Sequence, residues 1–554
     1  MADTAATLPT SAAGVASMTV VAGVTGGVTG SSSSSSAGSA PLATPGNSSM
    51  PTTLWAPRAW LAGRWQSGVL LRTDALGRWA EVTAGVHSPP VGATVLPGPV
   101  LPGLVDAHSH AFQRAFAGLS ERRMPGRDGQ ADDFWSWRDR MYRVALRITP
   151  EQLQAVAAQL YVELLRGGYT QVCEFHYLHH APDGSAYADP ARLSWALADA
   201  AHDTGIGLTV LPVLYERAGF AHAALRDDQR RFRGTAASVH ALYRAVQGAA
   251  RANVNAGIAV HSLRAASPGS MEALMALVGD DDVPIHIHVA EQTAEVDDCV
   301  AHTGMRPIEW LARALGGSTE SGESSKSGTS GTSGTSGSSG SSIKSRLDAR
   351  WQLVHATHAL PAEIDAVAAS GAGVVICPST EANLGDGLPD LPRWLDAGVP
   401  ITVGSDSQVC RQWAEELRWL EYGQRLIRRQ RNVAAADATD ATDAADAPAQ
   451  PATAVRLFDR VLQGSGAAAG MPRWGLVPGA RADLLVLDSS APGVAGVPAS
   501  HTLDALIFAT DAPAIRDVYV AGRCVLAGGQ HPQQARISAR FAEVMVALWS
   551  GTDP

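Results

Sequence analysis

At 554 residues, with a formal net charge of -10 and a pI near 5.9, the chain can bury a large core and carries no electrostatic footprint for nucleic acid. Of its 43 basic residues only Lys326 and Lys344 are lysines, both in a Ser/Gly tract. That excludes a Schiff-base lysine, a P-loop lysine and a carboxylated lysine bridging two metals, and favours a single-ion site if a metal is bound.

Residues 1–53 are dominated by Ala, Gly, Ser and Thr, including Ser31 to Ser36, with no basic residue before Arg58 to open a secretory signal. The Val-rich piece near Val20 is interrupted by Gly and Thr and falls short of a membrane span. This stretch reads as a disordered low-complexity tail. Over 54–100, segments such as Thr53-Leu-Trp-Ala-Pro and Ser67-Gly-Val-Leu-Leu-Arg read as short β-strands.

An apolar run from Val100 then ends in His108-Ser-His110. Side chains at i and i+2 of a strand project to the same side, so both imidazoles converge at its carboxyl end, half of a metal site. Further on, Thr149 with Pro150 after it opens a helix. Apolar strands follow at 169–175, 207–214, 257–261, 283–289, 351–355, 373–377 and 400–406.

With the first these make eight strands, most separated by amphipathic helical stretches. The pattern predicts an α/β fold, a (β/α)8 TIM barrel over 101–467, with its site at the carboxyl ends of the strands. Two low-complexity inserts, 316–345 and 433–452, are expected to be flexible surface loops. Over 468–540 strand character returns, in 479–488 and 515–526, expected to join 54–100 in a small β-sandwich-like domain built from both ends of the chain.

Polar residues stand where the strands run out: His288 with Glu291 three residues on, His355, and Asp406. Along with His108 and His110 these give three imidazoles and one carboxylate as ligands for a divalent ion, and a position left for water makes such a site catalytic. His286 shares strand parity with His288, but His288 is nearer the carboxyl end and is preferred. The cysteines (Cys173, Cys299, Cys377, Cys410 and Cys524) form no CxxC pair, which fits a reduced, cytoplasmic setting.

Pro102-Gly-Leu-Val-Asp-Ala-His108-Ser-His110, Gly404-Ser-Asp406 and Gly475-Leu-Val-Pro-Gly-Ala-Arg-Ala-Asp483 resemble signatures of the amidohydrolase superfamily. Within it, several stretches resemble the formimidoylglutamate deiminase family of histidine degradation. They include His110-Ala-Phe-Gln-Arg-Ala, Phe134-Trp-Ser-Trp-Arg138, Cys173-Glu-Phe-His-Tyr177, His261-Ser-Leu-Arg264, His288-Val-Ala-Glu-Gln and Thr380-Glu-Ala-Asn-Leu-Gly-Asp-Gly. The resemblance covers about 54–530 outside the inserts.

It implies hydrolysis of N-formimidoyl-L-glutamate to N-formyl-L-glutamate and ammonia, with Zn²⁺ held by His108, His110, His288 and Asp406. Asp406 would take the proton of a bound water, Glu291 would move protons to the departing nitrogen, and His355 would orient the attacking oxygen. Arg138 and Arg264 would clamp the substrate's carboxylates, with Gln113, Tyr177 and His261 as hydrogen-bonding partners. The resemblance also implies a homodimer; from the charge balance and the lack of a spanning segment, neither nucleic acid nor membrane is expected as a partner. Three other readings are an aminohydrolase of a guanine-like heterocycle, cleavage to glutamate and formamide, and a non-catalytic metal-binding scaffold.

Overall fold

The computed structural model describes residues 51–122, 134–314, 347–436 and 452–550. The expected tail up to residue 50, the insert 316–345 and positions 437–451 of the second insert lie outside the described residues.

The chain enters through β1 (Thr53–Leu61) and β2 (Arg64–Thr73), an antiparallel pair. They are joined at Ala62-Gly63, both at positive φ (48° and 76°), the conformation a two-residue hairpin turn demands. β3 (Trp79–Thr83), β4 (Thr94–Val95) and β5 (Val100–Pro102) complete this first set.

The apolar run expected as one barrel strand is in fact two. β5 pairs in the small sheet, and after Gly103 the chain crosses to β6 (Leu104–Ser109) in the barrel. A Cβ on Gly103 would collide with the side chain of Thr170, so glycine is what lets the two sheets approach here.

The barrel continues with β7 (Tyr169–His176), β8 (Gly207–Leu214), β9 (Val254–Ala256, an extra strand beside β8), β10 (Ile258–Ser262) and β11 (Ile285–Val289). β12 (Trp351–His355), β13 (Gly373–Ile376) and β14 (Ile401–Val403) follow. Neighbours pair in parallel in the order β14-β13-β12-β11-β10-β8-β7-β6. The ring closes through a bridge between Ser109 and Asp406, with Asp406 N–H donating to His108 O (2.9 Å) and His110 N–H to Asp406 O (3.2 Å). β6, β7 and β8 are buried along their whole length, which is why they read as largely apolar runs.

Helices cover the strands. In Pro150–Arg166 the Thr149 hydroxyl accepts from Gln152 N while the Gln152 side chain accepts from Thr149 N, and Leu153, Val156, Leu160 and Leu164 face the barrel. No helix among the described residues is long and apolar enough to cross a membrane.

The chain returns to the small sheet with β15 (Leu484–Leu487), β16 (Ile515–Val520) and β17 (Arg523–Leu526), in the order β17-β16-β15-β5-β1-β2-β3, with β4 beside β1. Trp79 N–H donates to Ala480 O (2.9 Å) and Gly479 N–H to Trp79 O (2.7 Å), folding the sheet over a core that includes Leu71, Trp79, Val100, Leu484 and Val486.

Two boundaries differ from expectation. The β domain is expected to run to 540, but beyond the last strand, which ends at Leu526, Gln534–Trp549 is a helix lying on Pro150–Arg166, tied by Ser538 to Gln159 (3.0 Å). Its buried Ile537, Val544 and Leu548 recur at helical spacing. The second insert begins later than 433, because the N–H groups of Val433 and Ala434 donate to the Glu421 carboxylate (2.9 and 3.0 Å) and Ala434 is buried.

Candidate active site

At the carboxyl end of the barrel, His108 Nε2 lies 2.9 Å from His288 Nε2 and 3.6 Å from Asp406 Oδ1, while His110 Nε2 lies 3.4 Å from that same oxygen. Four donors held about 2.0–2.1 Å from one tetrahedral ion stand roughly 3.3 Å from each other, so this spacing fits a single divalent ion. Two of the three far ring nitrogens are fixed as well, while His108 Nδ1 meets no partner among the described residues. His110 Nδ1 bonds Phe175 O and His288 Nδ1 bonds His261 O, both at 3.0 Å, which turns each Nε2 lone pair toward the centre. Burial pushes His108 and His288 well below the ordinary imidazole value and His110 to about 3, favouring the neutral form a metal needs. His286 sits deeper in the barrel and bonds Ala468 O (2.9 Å), away from this cluster.

His355, at the end of β12, bridges the acids. Its Nε2 is 3.7 Å from both Glu291 Oε1 and Asp406 Oδ2, and its Nδ1 is 3.3 Å from Glu381 Oε1. Burial would lower its pKa, but Glu291, the hydrogen bond to Glu381, and Asp406 together raise it to about 10. Asp406 is pushed up to about 7 by burial, with His355 pulling it down and Glu291 and Glu381 pushing it further up. A divalent cation against its oxygen pulls such a carboxyl back toward ionisation.

Above this centre opens a cleft that brings together Gln113, Arg138, Tyr177, His261 and Arg264 with His110, His288, Glu291, His355 and Asp406. Gln113 Nε2 donates to Tyr177 Oη (3.2 Å). The Arg138 guanidinium stands 5.5 Å over the Tyr142 ring and that of Arg264 5.8 Å over Phe134, so aromatic faces shape the wall that carries the two cations. Burial first, then Arg264, His110 and Arg138, holds His261 well below its ordinary pKa. The cleft thus has a cationic wall and a floor lined with carboxylates.

The strand ends are strained. Ala290, His355, Ala356, Asp406 and Gln408 all have φ between 47° and 71°, a region that non-glycine residues avoid unless their surroundings impose it. Close by, a methyl on Gly404 would lie 2.7 Å from His108 Cβ and 2.8 Å from His108 O. Gly404→Ala is therefore expected to cost about 1–3 kcal/mol of stability and to weaken metal retention. Thermal melts and metal analysis check this; unchanged values in both would mean that the closure tolerates a side chain.

Residue patterning did not assign roles to several groups that brace the centre. Glu174 accepts from Ser109 Oγ (2.7 Å) and Ala111 N (3.0 Å), and Asp106 accepts from Ser405 N (2.9 Å) and Oγ (2.5 Å). Gln408 Nε2 donates to Ser109 Oγ (3.0 Å) and Asp406 O (2.9 Å). The available signal was an acid inside an otherwise apolar strand, as at Asp106 and Glu174.

The profile of the amidohydrolase family matches residues 100–525. Over 498 residues the chain is 42% identical to the formimidoylglutamate deiminase of Pseudomonas aeruginosa, covering 90% of this chain and 99% of that protein. It is 26% identical over 430 residues to a 5-methylthioadenosine/S-adenosylhomocysteine deaminase of Natronomonas pharaonis, covering 77% and 81%. Among solved structures, an amidohydrolase from Brucella melitensis superposes with a TM-score of 0.77 at 36% identity, over 90% of this chain and 100% of that one. An adenosine deaminase from Xanthomonas campestris, solved with bound zinc, shares the fold with a TM-score of 0.66 at 21% identity, over 90% and 98%. With its closed barrel and a family match that runs from β5 into β17, the chain belongs to the amidohydrolase family.

Proposed function

We propose that this chain hydrolyses N-formimidoyl-L-glutamate to N-formyl-L-glutamate and ammonia, a step of histidine degradation. The chain is a hydrolase acting on a C–N bond. The observation that carries the substrate is the charge layout of the cleft. Arg138 and Arg264 on one wall suit two carboxylates, while Glu291 and Asp406 on the floor suit an amidine-like carbon that is cationic. The similarity to the Pseudomonas aeruginosa enzyme supports the same substrate.

The family is metal-dependent; His108, His110 and His288 form one group able to hold an ion and His108, His355 and Asp406 another, and we take His108, His110, His288 and Asp406 as the residues that would hold it. Three imidazoles and a carboxylate suit Zn²⁺, the ion we infer, although such donors also take Fe²⁺ or Mn²⁺. When bound, such an ion supplies the Lewis acidity that makes water acidic near pH 7. Asp406 accepts the proton of the attacking water, and His355 Nε2, between Asp406 and Glu291, orients its oxygen. Glu291 moves protons to the departing nitrogen, so that the C–N bond breaks as the formyl C=O forms and ammonia leaves. Arg138 and Arg264 clamp the carboxylates, and Gln113, Tyr177 and His261 hydrogen-bond the remainder. The same reading takes the protein as a cytoplasmic homodimer, the first from its unpaired cysteines and the second from family resemblance.

Product analysis on zinc-loaded protein tests it. Ammonia and N-formylglutamate in equal amounts are expected. Formamide with glutamate would overturn the reaction, and turnover of guanine-like heterocycles in place of formimidoylglutamate would overturn the substrate.

A further inference from the structure

We propose that Glu381 is a positioning residue for the reaction: it accepts the Nδ1–H hydrogen bond of His355 and thereby presents Nε2 of that ring to Glu291 and Asp406. This rests on the functional reading above, in which His355 Nε2 faces the reacting oxygen. Glu381 lies in the Thr380-Glu-Ala-Asn-Leu-Gly-Asp-Gly stretch, to which no chemistry has so far been given.

Its carboxylate is fully enclosed, as is the imidazole. Oε1 takes two contacts, from Cys377 N–H at 3.0 Å and from His355 Nδ1 at 3.3 Å, while Oε2 meets no hydrogen-bond partner among the described residues. The first contact ties the carboxylate to the end of β13, and the second ties the ring to the carboxylate. A buried acid with so few donors is costly unless a partner is held against it, so each group restricts the other. The arrangement has a task to perform, because His355 and Ala356 sit at φ of 71° and 48°. In that strained backbone the ring needs an outside anchor to keep Nε2 at 3.7 Å from both Glu291 Oε1 and Asp406 Oδ2. An Nδ1–H donated to a carboxylate also fixes which ring nitrogen faces the substrate.

The test is a double-mutant cycle on metal-loaded protein, with Glu381→Ala and Glu381→Gln made alone and in the His355→Ala background. Glu381→Ala should lower kcat by roughly 10- to 100-fold with KM changed by no more than about twofold and metal content equal to the parent. Glu381→Gln, whose amide oxygen can still accept both contacts, should recover most of that loss. In the His355→Ala background, removal of Glu381 should cost nothing further. An additive loss in that background, a loss of metal, or an unchanged kcat in Glu381→Ala would each overturn the proposal.

A readout without substrate separates this from the functional reading. In isotope-labelled holoenzyme the His355 Nδ1–H resonance, assigned by its absence from His355→Ala, should shift in Glu381→Gln and vanish in Glu381→Ala. That response in protein that does not turn over formimidoylglutamate would sink the substrate and leave the positioning role standing. A resonance indifferent to Glu381 would sink the positioning role.

Discussion

Asp406→Asn, assayed at saturating zinc, is expected to keep the ion and lose roughly 10²- to 10⁴-fold in kcat. On the proposed reading the carboxylate divides its work between its two oxygens. Oδ1 faces the imidazoles, 3.6 Å from His108 Nε2 and 3.4 Å from His110 Nε2, whereas Oδ2 faces His355 Nε2 at 3.7 Å. An asparagine retains a carbonyl oxygen for the first task and loses the proton acceptor needed for the second. The backbone of residue 406 is held independently, by Asp406 N–H to His108 O and His110 N–H to Asp406 O, so the substitution leaves the barrel seam intact. Metal analysis beside steady-state kinetics reads the two tasks separately. A variant with metal intact and kcat within about tenfold of the parent would move the proton-acceptor role to Glu291.

The eight strands were legible because a strand buried on both faces is mostly apolar, and the candidate site was legible because His108, His110, His288, His355 and Asp406 stand at or just past the strand ends. Parity could not separate His286 from His288, since both point the same way; depth separates them, and His286 finds its partner in Ala468 O, nearly two hundred positions away in the chain. The break at Gly103 was hidden because both sides of it are apolar and buried, each in a different sheet. Glu381, Glu174 and Asp106 gave no roles in advance because what they bind is backbone N–H, hydroxyl or imidazole brought in by other segments once the barrel closes. The positive φ of His355 and Asp406 has only a weak residue-type signature: neither is glycine, although His and Asp enter that region more readily than most side chains.

Arg264→Met should reduce kcat/KM for formimidoylglutamate by roughly 30- to 1000-fold, the equivalent of about 2–4 kcal/mol, and mostly through KM. The guanidinium is almost enclosed, beside Phe134, so a substrate carboxylate that reaches it has already shed its water. Methionine keeps much of the stem's bulk and supplies no donor, which leaves that carboxylate desolvated and unpaired. The loop itself should survive, because Arg217 donates to Arg264 O (3.2 Å) and Leu263 O (2.8 Å) through backbone oxygens the substitution does not touch. Glu295 reports on the same charge: burial pushes it up to about 7 while Arg264 pulls it down, so the variant should hold Glu295 more firmly in its neutral form. Loss of binding common to ground and transition states raises KM and spares kcat. Monocarboxylate analogues of the substrate decide the assignment. The parent should favour the dicarboxylate by a factor like that lost on mutation, and Arg264→Met should lose the preference against the analogue that lacks the carboxylate Arg264 reads. Preference retained against both analogues would leave Arg138 to read the carboxylates and reduce Arg264 to a shaper of the wall.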